Sequence, residues 1–255
     1  MILKSSLISG TGNTFHLLYD VHSIGDLSEF TKKVCAEFPA DGVVFLFSPQ
    51  NLKSHYNWNF YNKDGSAAEM CGNATRCVGY YVENILLRSE KNIELMTTAG
   101  LIQIQILGQN QYQVQMTRPI VNRSSILFIC NTGVPHVVIE IPTNDSFDQH
   151  KAMAQSLRRS SEFSPQGTNV TLLRTTSDQN TISALSFERG VEDFTLACGT
   201  GAVAAGLFMN IRHGLKKINI EMPGGTLKID TTNLDQPLMT GLAQHVKDCT
   251  YEFKS

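Results

Sequence analysis

Two cysteines, Cys71 and Cys198, stand in matching sequence contexts that favour thiol chemistry. Each is followed by a glycine and a small polar residue, Asn73 or Thr200, and then by a mostly apolar run. This pattern predicts that each cysteine directly precedes a buried helix. Backbone N–H groups at a helix start favour anions and lower the pKa of a nearby thiol. We therefore expect that both cysteines can form a thiolate at neutral pH.

The same backbone N–H groups can hold a substrate carboxylate. A carboxylate bound between two such helix starts would place one sulfur on each face of the adjacent carbon. One thiolate can then remove the α-proton while the opposite thiol delivers another, and the reverse reaction exchanges their roles. The pair therefore predicts inversion of a stereocentre. The alternative, a small buried apolar residue, is the usual role of a free cysteine, and we accept it for Cys35, Cys130 and Cys249.

The two cysteines belong to an internal repeat. Three segment pairs match at one offset of 127: Phe60–Asn62 with Phe187–Arg189, Met70–Asn73 with Ala197–Thr200, and Ile93–Leu95 with Ile220–Met222. A fourth pair, Thr11–Asn13 with Thr132–Val134, has an offset of 121. The second copy is therefore longer before its cysteine, and loop insertions of this kind cost little free energy.

Each copy contains strands on both sides of its apolar helix. Val43–Phe47 is a continuous apolar run of strand length, while Ile102–Ile106 and Tyr112–Met116 alternate with period two. The runs after the cysteines, 74–82 and 201–209, predict helices that are apolar all round and therefore buried. We expect an α+β protein of two pseudo-symmetric lobes, each a curled, mostly antiparallel sheet around a central helix.

The repeat also predicts the domain boundaries. Residues 1–117 form the expected N-terminal lobe and residues 118–237 the C-terminal lobe, with the division near Arg118–Pro119. Residues 238–255 lie beyond the second copy, and we expect them to return to the first lobe and close it.

Composition narrows the classes of partner. A net charge of -2, from 21 basic and 23 acidic residues, provides no field that attracts nucleic acid or acidic membranes. No apolar stretch approaches the length of a membrane span, so we expect a cytoplasmic protein with a small-molecule substrate. The cysteine spacings do not suggest a zinc site, and the predicted chemistry needs neither metal nor other cofactor. The sequence leaves open whether the chain is a monomer or a homodimer.

These motifs resemble the two signatures of the diaminopimelate epimerase family. Residues 62–73 read NKDGSAAEMCGN, with Arg76 and Cys77 shortly after, and residues 188–202 read ERGVEDFTLACGTGA. Weaker matches extend from Gly12 to Gly241, so the resemblance covers nearly the whole chain. It implies a cofactor-independent isomerase with two pseudo-symmetric lobes, which interconverts LL- and meso-diaminopimelate in lysine and peptidoglycan precursor synthesis.

The resemblance also assigns roles to individual residues. It implies that Cys71 and Cys198 are the acid/base thiols, with His136 as the partner of Cys71 and Glu188 as the partner of Cys198. The backbone amides that would hold the reacting carboxylate belong to Gly72, Asn73, Gly199 and Thr200. The residues that would hold the rest of the substrate are Asn13, Asn62, Asn169, Glu188 and Arg189. An arginine fork suits the distal carboxylate.

The sequence departs from the family pattern at Ala74 and at Val134. Ala74 occupies a position that is usually glycine, which is a small change at a helix start. Val134 occupies the position of a substrate-binding asparagine, and the loss of one polar partner typically costs about 1 to 3 kcal/mol. We therefore expect relaxed specificity, which would include racemisation of a smaller amino acid such as glutamate.

Three other classes of function remain as alternatives. A racemase of the proline type also uses two opposed thiols, although the motifs at 62–66 and 188–190 argue against it. A redox or metal-binding protein would use the cysteines as a dithiol or as ligands. A non-catalytic binding module of the same fold would have no need of both thiols.

Overall fold

The computed structural model describes residues 2–49, 54–122 and 127–252, so residue 1 and residues 253–255 of the predicted first lobe lie outside it. The strands are β1 (Ile2–Gly10), β2 (Asn13–Tyr19), β3 (Gly42–Phe47), β4 (Tyr56–Asn62), β5 (Asn92–Thr97), β6 (Gly100–Gly108), β7 (Gln111–Gln115), β8 (Ile120–Asn122), β9 (Phe128–Asn131), β10 (Pro135–Glu140), β11 (Asn169–Thr175), β12 (Thr181–Glu188), β13 (Asp193–Phe194), β14 (Lys217–Met222), β15 (Gly225–Asp230), β16 (Leu238–Leu242) and β17 (Gln244–Glu252). The α-helices are α1 (Leu27–Glu37), α2 (Gly72–Tyr80), α3 (Lys151–Arg158) and α4 (Gly199–His213).

The chain divides into two compact units. Unit 1 is Met1–Val114 with Gly241–Ser255, and unit 2 is Gln115–Thr240. Each contains strands and helices in mixed order, so the predicted α+β class is confirmed. The predicted lobe boundaries at 117/118 and 237/238 stay a prediction.

Unit 1 is built on strands in the order β17-β1-β2-β3-β4-β5-β6-β7. The pairs β2/β3 and β4/β5 are parallel, and all other neighbours are antiparallel. Helix α2 packs against the neighbours β1 and β2 and also against β6, which lies four strands beyond β2 in this order, so the sheet curls around the helix. Helix α1 packs against β3 and β4.

Unit 2 repeats this arrangement. Its strands follow the order β8-β9-β10-β11-β12-β14-β15-β16, and β13 adds a short pair to β12. The parallel pairs are β10/β11 and β12/β14, which are the third and fifth pairs as in unit 1. Helix α4 packs against β9, β10, β11, β12, β14 and β15. The same strand pairing in both units gives the internal repeat a structural counterpart.

A glycine lets each central helix approach its sheet closely. A Cβ atom on Gly79 of α2 would lie 2.6 Å from Tyr112 Cδ1, and one on Gly206 of α4 would lie 2.5 Å from Ile229 Cγ2. Both distances are below van der Waals contact, so a larger residue would push helix and strand apart. The two glycines are 127 residues apart, at the offset that relates the cysteines.

Strand β17 completes unit 1 from the far end of the chain. It pairs with β1 from Ile2↔Glu252 to Ser9↔Gln244. Ser6 Oγ also donates to Asp248 Oδ1 at 2.9 Å across this pair.

His16 is fully buried on β2, and its ring connects β1, β17 and the end of α1. Its Nδ1 atom lies 3.1 Å from Ser5 Oγ and 3.0 Å from the Tyr251 hydroxyl. Its Nε2 atom lies 2.9 Å from the carbonyl oxygen of Phe38, so Nε2 carries the hydrogen and Nδ1 accepts. Burial lowers the pKa of His16, and this outweighs the opposing effect of the Phe38 carbonyl.

We expect His16 to make folding stability depend on pH. Because its folded pKa lies below the unfolded value of 6.5, its contribution is complete above that pH and is lost as the pH falls. One such histidine accounts for up to about 1.4 kcal/mol per pH unit. Urea unfolding between about pH 7 and pH 5 should show a shallower pH dependence for His16→Gln.

The matched control is His22→Gln, because the His22 side chain is 76% exposed. This variant should keep the wild-type pH dependence. An unchanged slope in His16→Gln would show that other groups cause the acid sensitivity.

Candidate active site

Cys71 is the N-cap residue of α2, as the spacing predicts. Its backbone is extended, with φ -144° and ψ 114°, and its carbonyl accepts the first helical hydrogen bond, from Thr75 N at 2.8 Å. The side chain is half-buried, while the next two residues, Gly72 and Asn73, are buried. Helix geometry provides no partner for the first N–H groups of α2. They form a candidate anion site beside the Cys71 thiol.

A chain of side-chain hydrogen bonds lies behind this helix start. Arg76 Nη2 donates to Asn73 Oδ1 at 2.9 Å, and Asn73 Nδ2 donates to Asn13 Oδ1 at 2.6 Å. Asn13 Nδ2 then donates to Asp41 Oδ2 at 3.2 Å. Because a guanidinium only donates and a carboxylate only accepts, the two ends set the orientation of both amides. Asn13 and Asn73, which we expected to bind substrate, therefore lie together in one ordered network.

Cys198 is the N-cap residue of α4 and has nearly the same backbone conformation, with φ -133° and ψ 105°. Its sulfur accepts from Gly201 N at 3.3 Å and lies 3.4 Å from Thr200 Oγ1. The side chain is 5% exposed. Cys198 is thus shielded from solvent more completely than the half-buried Cys71.

His136 belongs to a buried polar network in the unit of Cys198. Its Nε2 atom lies 3.0 Å from Thr200 Oγ1, and its Nδ1 atom lies 2.9 Å from Thr171 Oγ1. Thr171 in turn lies 3.0 Å from Ser186 Oγ. Burial lowers the pKa of His136 to about 3, so the ring is neutral at physiological pH. Within its own unit, His136 is connected to Cys198 through the Thr200 hydroxyl, which contacts both side chains. The role of His136 as the partner of Cys71 stays a prediction.

The expected lowering of the thiol pKa is wrong for Cys198. Burial raises the pKa of this thiol, and the negative charge of Glu188 raises it further. Hydrogen bonds from Thr200, the Gly201 amide and Ser186 act in the opposite direction but do not offset these effects. The physical reason is that removing water from an enclosed thiolate costs more free energy than the interactions at the helix start provide. At rest, Cys198 is therefore a thiol that can act as an acid.

The remaining predicted residues of unit 2 lie at neighbouring strand ends. Asn169 begins β11 beside His136, and its Oδ1 accepts from Arg189 N at 2.8 Å. Glu188 ends β12, where Thr195 Oγ1 donates to its carboxylate. The Arg189 side chain is exposed. These contacts hold the Glu188–Arg189 corner in place.

Asn62 occupies the corresponding corner of unit 1, at the end of β4. Its Nδ2 donates to Ser66 Oγ at 3.0 Å, and its backbone N–H donates to the Ser66 carbonyl at 2.9 Å. Asn62 and Arg189 are 127 residues apart. The same corner of the repeat therefore carries an amide in one unit and a guanidinium in the other.

The structure adds residues that the sequence argument did not select. They are Thr11, Asp41 and Arg76 in unit 1, and Thr171, Ser186 and Thr195 in unit 2. A usable signal existed for two of them, because Thr171 and Ser186 are polar residues that interrupt the apolar stretches 170–173 and 184–187. Over residues 2–49, 54–122 and 127–252, no three His, Cys, Asp or Glu side chains come together as a metal site. In the same ranges, no helix has the length and apolar content needed to cross a bilayer.

Comparison with known proteins adds independent information. Residues 6–121 and 128–246 match the family model described as diaminopimelate epimerase. The diaminopimelate epimerase of Archaeoglobus fulgidus is 33% identical to this chain, over 97% of this chain and 96% of the relative. That of Aquifex aeolicus is 34% identical over 84% and 81%.

Solved structures share the fold at low sequence identity. A phenazine biosynthesis protein of the PhzF family from Bacillus anthracis is 13% identical, with a TM-score of 0.79 over 99% of this chain and 100% of that one. A probable proline racemase from Agrobacterium radiobacter is also 13% identical, with a TM-score of 0.76 over 100% and 94%. These likenesses show the fold alone.

The surroundings of Cys198 predict opposite effects for two substitutions. Glu188→Gln removes a charge that raises the thiol pKa, so the pH midpoint for alkylation of Cys198 should fall. Thr200→Val removes a hydrogen bond that lowers the thiol pKa, so the midpoint should rise. Each shift should be up to about one pH unit, equal to about 1.4 kcal/mol.

Iodoacetamide labelling against pH, followed by mass spectrometry in a Cys71→Ser background, measures both midpoints. Glu192→Gln is the control, because this carboxylate pairs with Arg158 and Arg159 on the surface. Shifts of the same sign in Glu188→Gln and Thr200→Val would contradict this account.

Proposed function

The chain belongs to the diaminopimelate epimerase family, and from this premise we propose that it interconverts LL- and meso-diaminopimelate with Cys71 and Cys198 as its two acid/base groups. The observation that carries the proposal is that both cysteines are N-cap residues of central helices in two units with the same strand pairing. The proposal requires both thiols to reach one α-carbon of the substrate.

The proton transfer balances without a cofactor. The Cys71 thiolate takes the α-proton and becomes a thiol, and the electron pair of the broken C–H bond is delocalised onto the adjacent carboxylate. The Cys198 thiol gives its proton to the opposite face and becomes a thiolate. The backbone N–H groups of Gly72, Asn73 and the start of α4 would stabilise the charge that develops on the carboxylate. The raised pKa of Cys198 supports its role as the acid in this direction.

The proposed substrate contacts fall into two groups, one for the reacting carboxylate and one for the rest of the molecule. The amides of Gly72, Asn73, Gly199 and Thr200 hold the reacting carboxylate, and the residues that hold the rest of the molecule are Asn13, Asn62, Asn169, Glu188 and Arg189. Arg189 suits a distal carboxylate because its guanidinium is exposed while its backbone is fixed by Asn169. The product serves lysine and peptidoglycan precursor synthesis, and we place the reaction in the cytoplasm, with a free amino acid as the small-molecule substrate.

Val134 supports a second candidate function, a broader amino-acid racemase. It lies half-buried between Gly133, which has a φ of 117°, and Pro135 at the start of β10. Its counterpart in the repeat, Asn13, bonds to both Asn73 and Asp41. The turn therefore offers an apolar side chain where unit 1 offers an amide, which weakens recognition of a polar distal group.

Deuterium exchange tests the two-base proposal. Reduced enzyme in deuterated water should introduce deuterium at the α-position of LL-diaminopimelate as the meso isomer appears. Cys71→Ser and Cys198→Ser should each reduce inversion by at least about 100-fold, because each removes one acid/base group. Mass spectrometry and chiral chromatography measure the two outcomes.

Cys35→Ser is the control, since Cys35 lies on α1, packed against the apolar cluster that contains Phe30 and Val34, and should keep wild-type turnover. EDTA should leave the rate unchanged. Wild-type enzyme that exchanges no α-proton, or a serine variant with near-normal inversion, would defeat the proposal.

Substrate range tests the role of Val134. We expect measurable racemisation of glutamate by the wild type and a several-fold rise in the preference for diaminopimelate in Val134→Asn, because one restored polar contact contributes about 1 to 3 kcal/mol. The measurement is kcat/KM for both substrates in both proteins. Undetectable exchange with glutamate in the wild type would reject the broader function.

A further inference from the structure

The two central helices differ in one buried side chain. At the offset of 127 that relates Cys71 to Cys198, Arg76 on α2 corresponds to Val203 on α4. Both side chains are 0% exposed. A buried arginine carries a large desolvation cost that a valine does not, so its presence beside only one of the two thiols calls for a specific role.

Arg76 donates hydrogen bonds to three neutral groups, two of them at the start of its own helix. Its Nη2 donates to Thr11 Oγ1 at 2.7 Å and to Asn73 Oδ1 at 2.9 Å, and its Nη1 donates to the Gly72 carbonyl at 3.4 Å. Burial lowers the pKa of Arg76 only to about 10, so the guanidinium stays charged at neutral pH. These three bonds fix a positive charge behind the N-terminus of α2.

Two ionisable groups act on this charge, the thiols of Cys77 and Cys71. Cys77 is fully buried, its S–H donates to the Ile8 carbonyl at 3.7 Å, and burial raises its pKa. It therefore remains a thiol. Cys71 is half-buried and caps the helix, so it is the thiol that can exchange a proton with solvent or substrate.

Unit 2 presents the opposite electrostatic setting to its cysteine. Cys198 lies next to the hydroxyl of Thr200, which contacts a neutral His136. The charge that acts on it is the carboxylate of Glu188, which disfavours a thiolate. Val203 adds no charge to balance it.

We propose that Arg76 is a positioning residue that holds Cys71 as the thiolate of the resting enzyme, so that Cys71 is the base for the first proton and Cys198 the acid. Arg76 contributes in two ways: its charge acts on Cys71, and its bond to Asn73 orients the amide chain that ends at Asp41. This inference rests on the proposed function, but its test needs no substrate.

Alkylation of each cysteine against pH is the test. Full-length protein with Cys198→Ser reports on Cys71, and full-length protein with Cys71→Ser reports on Cys198. In the parent proteins, Cys71 should have its labelling midpoint at least about one pH unit below an unperturbed thiol at about 8.5, and below that of Cys198. Arg76→Met should raise the Cys71 midpoint by about one pH unit or more, which corresponds to about a tenfold slower reaction at neutral pH.

Two controls separate charge from structural damage. Arg76→Lys keeps the charge and should keep the Cys71 midpoint below about 8.5, although kcat falls because the hydrogen bond from the Arg76 guanidinium to Asn73 is lost. The Cys198 midpoint should not move in any Arg76 variant. In the enzyme with both cysteines, Arg76→Met should lower kcat and shift the acidic limb of its pH profile upward.

A labelling midpoint of Cys71 at or above that of Cys198 in the parent proteins would by itself overturn the inference. An unchanged Cys71 midpoint in folded Arg76→Met would also overturn it, as would equal shifts at both cysteines. If Arg76→Met does not fold, Arg76→Lys provides the test. A Cys71 labelling midpoint at or above about 8.5 in that variant then rejects the role of the charge. An enzyme active on diaminopimelate with an unshifted Cys71 would refute this inference while leaving the proposed function intact.

Discussion

Burial of two helix starts inside curled sheets is the constraint on which the rest of the molecule depends. A helix start needs acceptors for its first N–H groups, and a curled sheet supplies apolar side chains instead. The enclosed space favours a bound anion and at the same time makes every charge within it costly. The raised pKa of Cys198 and the lowered pKa of His136 both result from this exclusion of water.

Much of this arrangement could be predicted from the sequence, because it depends on local pattern. The repeat offset of 127, the apolar runs and the Cys-Gly pairs identify both central helices and place the cysteines as their N-caps. The alternating segment Ile102–Ile106 lies in β6 as a half-buried strand. These features follow from side-chain periodicity and helix-start chemistry, which operate over a few residues.

The contacts around the thiols could not be predicted in this way, because they depend on strand register. Thr171 reaches His136 only because β10 and β11 pair in parallel with His136 opposite Asn169. The direction of the Cys198 pKa shift was also beyond the sequence argument. A helix start lowers a thiol pKa and enclosure raises it, and only the packed structure shows which effect is larger. The repeat likewise gives the backbone of each unit but not its polar side chains, so that Phe15 stands where the second copy has His136.

The return of β17 to β1 has a consequence for how the protein is made. The chain is synthesised from its N-terminus, so all of unit 2 leaves the ribosome before β17 does. The hydrogen bonds of β1 to its outer neighbour, and the contact of His16 with Tyr251, can therefore form only after unit 2 has been synthesised. Until then β1 is an unprotected sheet edge, of the kind that pairs with other chains. The unit that contains Cys71 is begun before unit 2 and completed after it, so the edge of β1 stays exposed for as long as the synthesis of unit 2 takes.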